Sequence, residues 1–162
     1  MNERSMMNLL KKQEKRALEW LYEAYSPIVY GTIRRVGKTD EVIEELLVKT
    51  YVNAWTQAQR IDIAKDRALP WIFNVLIDTI VEYAESVDPE RKASEISALK
   101  LDLGSDAAIH QDQLSRLERA IEKHFIVHQV PIADVVPDDT KLQQSVVALR
   151  ARMKINQVLM PR

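Results

Sequence analysis

Apolar residues return every three or four positions along most of this chain, and polar residues fill the gaps. From Asn8 to Tyr25, the positions Leu9, Leu10, Ala17, Leu18, Leu21 and Tyr22 predict one amphipathic helix. Ser26-Pro27 reads as the N-cap and first residue of a second helix running to Val36, with Gly37 suited to the left-handed position that closes it. Thr39 caps a third, where Asp40 and Glu41 favour the positive N-terminal end and Ile43, Leu46, Leu47, Thr50, Tyr51 and Ala54 form the core stripe. Gln59 to Leu69 break the rhythm and predict a loop. A helix from about Pro70 to Glu85 follows, with the stripe Ile72, Val75, Leu76, Thr79, Ile80 and Tyr83.

Beyond it the punctuation is denser. Asp88-Pro89 opens a short helical stretch, and "LDLGSD" (Leu101 to Asp106) reads as a linker, with Gly104 as breaker and Ser105 or Asp106 as the next cap. A helix is expected from Ala107 to about Val127. After Pro131 and Pro137, "DDTKLQQSVVALRARMKI" forms a last amphipathic helix whose Arg150, Arg152 and Lys154 complement the dipole at its C-terminal end. The expected fold class is all-α, since Ala, Leu, Glu, Lys, Arg and Gln recur throughout and favour helices over sheets.

Composition agrees with this and narrows the function. Apolar residues make up 46% and charged residues 29%, enough for a core beneath a solvated surface, and three glycines leave helices uninterrupted. A net charge of −1 gives no global attraction to nucleic acid or lipid. The absence of cysteine removes disulfides and thiolate metal sites and fits a reducing cytoplasm, where the protein is expected to reside. No signal peptide is expected, and no stretch approaches the roughly 20 apolar residues that span a bilayer.

The order of signals is more specific than the composition. "LYEAYSPIVYGTIRRVGKTDEVIEELLVKTYVNAW", followed by "RIDIAKDRALPWIFNVLIDTIVEYAES", resembles region 2 of extracytoplasmic-function sigma factors, the smallest sigma-70 family transcription initiation factors of bacteria. The anchors are Leu21, Tyr22, Tyr25, Tyr30, Gly31, Arg35, Glu44, Thr50, Tyr51, Trp55, Asp62, Lys65, Arg67 and Trp71, aligned without a gap from Leu21 to Ser86. The resemblance implies a helical bundle with two working surfaces. One is the outward face of the 39–57 helix, where Glu44, Glu45, Val48 and Lys49 would meet the clamp helices of the largest subunit of RNA polymerase core. The other combines the loop before Trp71 with the helix after it. There Asp62, Lys65, Arg67, Trp71 and Asn74 would capture an unstacked base of the minus-ten promoter element, which needs a small pocket and cationic neighbours.

Departures from the family fall on those surfaces. Where it commonly reads Ala-Arg-Asn, Ile77 replaces the arginine and Asp78 the asparagine, and Glu85 stands where another arginine is usual. Between Ile61 and Ser86, Lys65 and Arg67 face Asp62, Asp66, Asp78, Glu82 and Glu85, a net charge of −3 on a surface that should neutralise phosphate. On the clamp side Val48 replaces an amide and Lys49 an acid, which weakens the expected docking. Val48 and Ile77 both put apolar side chains on expected outer faces, and cover by the C-terminal segment, a second copy or another regulator would explain them.

The remaining candidates are thin. "IADVVPDDTKLQQSVVALRARMK" (Ile132 to Lys154) is a faint echo of a helix-turn-helix, spoiled by Pro137, Asp138 and Lys141. His124 and His128 lie four apart, a spacing that can chelate zinc, but no third ligand is near in sequence, so no metal and no cofactor are expected. There is no glycine-rich phosphate loop, no Gly-x-Ser-x-Gly elbow and no cysteine nucleophile, so no enzyme is expected either.

The chain thus divides into a sigma region 2-like bundle (1–86), a linker with a short helix (87–104) and a second small helical segment (105–162). Two readings stay open. One is a divergent sigma-like protein that binds polymerase core through the 39–57 helix with weakened or lost promoter reading. The other is a regulator on the same scaffold that acts by protein–protein contact without DNA.

Overall fold

The computed structural model describes residues 2–36, 39–87, 89–90, 93–101, 115–117, 119–120 and 140–159, and among these there is helix and no strand. The elements are α1 (Glu3–Lys11), α2 (Lys15–Val36), α3 (Asp40–Gln57), a 3₁₀ turn (Ala58–Arg60), α4 (Ala68–Val87), α5 (Ser94–Ser97) and α6 (Thr140–Leu159). No helix among the described residues is long and apolar enough to cross a membrane.

The first long periodic run is two helices. Asn2 caps α1 by accepting the Ser5 N–H at 2.8 Å, and α1 ends after Lys11. The Gln13 N–H then reaches the Leu10 carbonyl and the Glu14 N–H the Leu9 carbonyl, the paired bonds of a Schellman stop. Gln13 takes the left-handed conformation (φ 63°) that glycine usually fills. Its side-chain amide compensates by donating to the Trp55 carbonyl at 3.0 Å, which ties this corner to the end of α3.

Ser26-Pro27, expected to start a helix, lies inside α2. Proline lacks the N–H that would bond the carbonyl four residues back, and that normally breaks a helix. Here Pro27 and Glu23 both lie on the exposed side, so the orphaned carbonyl faces water. Leu18, Leu21 and Tyr22 before the proline and Val29, Tyr30 and Ile33 after it are all buried, and their shared packing keeps the helix continuous.

The central helix is α3, which packs against α2, α4 and α6. Thr39 caps it as expected, accepting the Val42 N–H at 3.3 Å. Its whole expected stripe is buried, and so is Glu44. Two buried threonines satisfy themselves within their own helices: Thr50 donates to the Leu46 carbonyl and Thr79 to the Val75 carbonyl. Asn53 donates to the Thr79 hydroxyl at 3.1 Å and bridges α3 to α4.

Helix α4 is buried more widely than its stripe implied. Trp71, Phe73 and Ile77 are interior as well, because α2 and α3 cover one side and α5 another. Ile77 is 0% exposed, which corrects the expectation that it sits on an outer face. Val48, the other expected outward aliphatic, is half-buried against the core. The C-terminal part joins the same interior: Ala93, Ile96, Leu117, Ala120, Val147, Ala151 and Ile155 are buried.

Because Ile77 is a core residue, Ile77→Ala should lower the unfolding free energy by about 2–4 kcal/mol in urea titrations followed by circular dichroism. A surface aliphatic would shift it by less than about 0.5 kcal/mol.

Candidate functional site

On α3 the four candidate docking residues separate into two groups. Glu45 and Lys49 form an i,i+4 ion pair at 3.5 Å with both side chains about half exposed, a geometry that adds little stability. Glu44 lies under α6, with its side chain 9% exposed. Arg150 places Nε 3.3 Å from Glu44 Oε1, and Lys154 donates from Nζ to Oε2. The Arg150 contact is an ion pair only, so Oε1 accepts no hydrogen bond. One residue pair four apart on α6 thus straddles one carboxylate on α3.

The same seam holds α6 to α2. Arg152 pairs with Glu23 at 3.0 Å, and the Tyr22 hydroxyl donates to the Ala148 carbonyl. Tyr22 stacks at a tilt on Tyr51, with ring centroids 4.8 Å apart. Lys15, Leu18, Glu19, Tyr22, Tyr51, Arg152, Ile155 and Asn156 line a small cleft where α2, α3 and α6 meet. Arg150, Arg152 and Lys154 are therefore not dipole complements: α6 runs on to Leu159 and its last turn holds no cation. They are the countercharges of Glu44 and Glu23.

The loop before α4 spends its acids on itself. Asp66 Oδ2 accepts the Asp62 N–H at 2.8 Å, and Asp62 Oδ1 accepts the Ala64 N–H at 3.0 Å. The Asp62 carbonyl takes the N–H groups of Lys65 and Asp66. Lys65 is exposed, while Arg67 pairs with Glu3 of α1 at 3.2 Å. Trp71 is only 6% exposed and belongs to the core cluster, so no indole face is presented to a base.

The remaining candidate, Asn74, is engaged at both ends of its amide. Nδ2 donates to the Leu101 carbonyl and Oδ1 accepts the Leu101 N–H, each at 2.7 Å. Asp78 pairs with Lys100 at 2.6 Å, and Glu85 accepts the Ala93 N–H at 3.2 Å. Asn74, Asp78 and Glu85 share one stripe of α4 at spacings of four and seven. Residues 93–101 run along that stripe in the opposite direction, with Ala93 at its far end and Leu101 at its start. Two of the five acids between Ile61 and Ser86, Asp78 and Glu85, are thus fastenings of this strap.

His124 and His128 lie outside the described residues, among which no group of three or more metal-ligating side chains occurs. Ile132 to Asp139, the first part of the helix-turn-helix echo, lie outside them too. The remainder, Thr140 to Lys154, is one uninterrupted helix without a turn.

Comparison with protein-family models, with curated proteins and with solved structures finds no match to this chain.

Sequence reasoning missed Glu23, Tyr22 and Leu101 as parts of these seams. The available signal was α6 itself, which has four cations and no acid between Thr140 and Leu159 and so calls for acidic partners.

Two measurements check the seams. Asn74→Ala should cost about 1–2 kcal/mol and speed amide exchange at Leu101, because a doubly bonded amide is lost at the strap's end. The second is alkaline titration. Burial pushes the Tyr22 hydroxyl up to about 12 against an opposing pull from Arg152, and burial then Tyr22 push Tyr51 up as well. A raised folded-state pKa favours the fold fully below pH ~10 and is lost as pH rises through the folded value. Stability should therefore fall between pH ~10 and ~12, and Tyr22→Phe should flatten that fall in urea midpoints.

Proposed function

We propose that the chain is a transcription regulator that works by protein–protein contact on a sigma region 2-like scaffold and does not read the minus-ten element. The observation that carries this reading is the state of the base-capture set: Trp71 is in the core and both polar atoms of Asn74 are bonded to Leu101. A flipped base needs an open pocket and cationic walls, and stacking needs an exposed aromatic face. This surface offers a strap, a net −3 charge over Ile61 to Ser86 and one exposed lysine in its loop.

Protein contact fits what remains. The outer α3 face keeps Glu45, Val48 and Lys49 at or near the surface, next to the half-buried Tyr83. That mixture of charge, aliphatic and aromatic surface suits a protein partner better than a phosphate backbone. In this reading the partner is RNA polymerase core or another protein that contacts it, met at the α3 face.

A transcription assay tests the proposal. Protein mixed with core polymerase should give no initiation at a set of promoters. Fluorescence titration of single-stranded minus-ten oligonucleotides at low salt should show no saturable binding below about 100 µM, the weak end of nonspecific affinities. Open-complex formation, or tight binding lost on Lys65→Ala, would defeat it.

A further inference from the structure

Helix α6 closes the α2–α3 groove along a seam fastened largely by charge. Among its residues with described side chains, Val147, Ala151 and Ile155 are buried and Ala148 and Leu159 pack partly buried against the core, whereas Val146, Leu149, Met153 and Val158 face outward with exposures of 44%, 61%, 55% and 56%. Three ion pairs fasten it, but the side chains of Arg150, Arg152, Lys154 and Glu23 are all more than a third exposed, so water competes for each. Two polar atoms on the groove side make no hydrogen bond beneath it. The Tyr51 hydroxyl is buried with no hydrogen-bond partner, and Glu44 Oε1 accepts none. Buried groups left in this state weigh against the arrangement that buries them.

The groove has a definite chemistry. Glu44 and Glu23 supply two anions, Tyr22 supplies a hydroxyl donor, and the rings of Tyr22 and Tyr51 with Leu18 form an apolar wall. These requirements describe a helix with cations at i and i+4, a small residue at i+1, and a polar side chain able to reach Tyr51.

We propose that α6 is a displaceable internal stand-in for such a helix: it closes the α2–α3 groove until a basic amphipathic helix of a partner protein takes its place. The exchange rests on the proposed protein-contact function, because it names what opens part of the α3 face and what kind of partner enters. Releasing α6 exposes Glu44 beside Val48, one turn further along α3, and so widens the protein-contact face. A partner arginine able to make two parallel bonds to Glu44 would satisfy Oε1, which Arg150 leaves without a hydrogen bond. Leu149 and Met153, outward in the closed form, give α6 an apolar face with which to settle elsewhere once it leaves.

The absence of native cysteine allows a direct test in the full-length chain. Single variants Val147→Cys, on the buried side of α6, and Ile80→Cys, buried in α4, are labelled with a maleimide under native conditions. Local release of α6 predicts labelling at Val147→Cys at least about tenfold faster than at Ile80→Cys, since sub-global opening is cheaper than unfolding the core. Glu44→Gln should raise the first rate and leave the second unchanged. Excess synthetic peptide of residues 140–159 should also raise it, and the same peptide with Arg150→Glu and Lys154→Glu should not. Ile155→Cys repeats the measurement should Val147→Cys perturb the helix.

Equal rates at the two sites in every condition would overturn the proposal, because α6 would then leave only when the whole bundle unfolds. So would indifference to the basic peptide at millimolar concentration. The two proposals fail separately. Binding of core polymerase with position 147 still protected removes the exchange and keeps the function, whereas peptide exchange without any polymerase contact keeps the exchange and weakens the function.

Discussion

Glu44 sits on the helix that α2, α4 and α6 all touch, its carboxylate shielded from bulk water and covered by two cations from far along the chain. A carboxylate in that position cannot stay charged alone, since withdrawing it from water costs several kcal/mol unless opposite charge comes with it. This requirement fixes more than one contact. Arg150 and Lys154 lie one helical turn apart, so their joint grip sets both the rotation and the height of α6 on α3. A slip of one residue would turn the helix by about 100° and carry Val147, Ala151 and Ile155 out of the interior. The charge pair thus selects the same register as the buried Val147, Ala151 and Ile155.

A related constraint shapes the other covered face. The middle of a helix has no spare backbone N–H or carbonyl, so a segment lying across α4 can hydrogen-bond only to side chains. Where the strap offers N–H alone, at Ala93, an acceptor suffices, and Glu85 supplies it. Where it offers both N–H and carbonyl, at Leu101, the partner must accept and donate at once, and an amide is the side chain built for that. Lys100 asks for a charge and meets Asp78. Two of the three acids of α4, Asp78 and Glu85, follow from this strap-and-rail arrangement.

The bundle was legible in the sequence where one face of a helix is buried and the other wet. The stripe of α3, that of α4 except for the half-buried Tyr83, and the Thr39 cap needed only periodicity and capping chemistry, both local in sequence. Failures occurred where distant packing overruled local rules. Pro27 looked like a helix start, yet buried residues on both sides of it hold α2 together while the broken bond faces solvent. Gln13 stops α1 without glycine or proline, helped by a bond to Trp55 that no local pattern announces. Ile77 looked outward because a promoter-reading helix would put a polar residue there, but α5 and the strap add a second buried side. Arg150 and Lys154 looked like dipole complements because their partner lies more than a hundred residues away.

The sigma-like anchors can be weighed by the same physics. Leu21, Tyr22, Tyr30, Thr50, Tyr51 and Trp71 are all buried, so each has a packing reason to be where it is. Gly31 has none: a Cβ built there meets nothing within 4 Å, so an alanine would fit. Residues that pack a bundle record its architecture, and architecture is shared by proteins that do different things. The positions that depart from the pattern are more informative about activity. Ile77, Asp78 and Glu85 serve internal contacts of this molecule, and so does Glu44. Because Asp78, Glu85 and Glu44 are engaged by later segments of the same chain, those segments compete with any outside ligand for these three carboxylates. Contact through these faces then depends on a difference in affinity between the internal occupant and the external one.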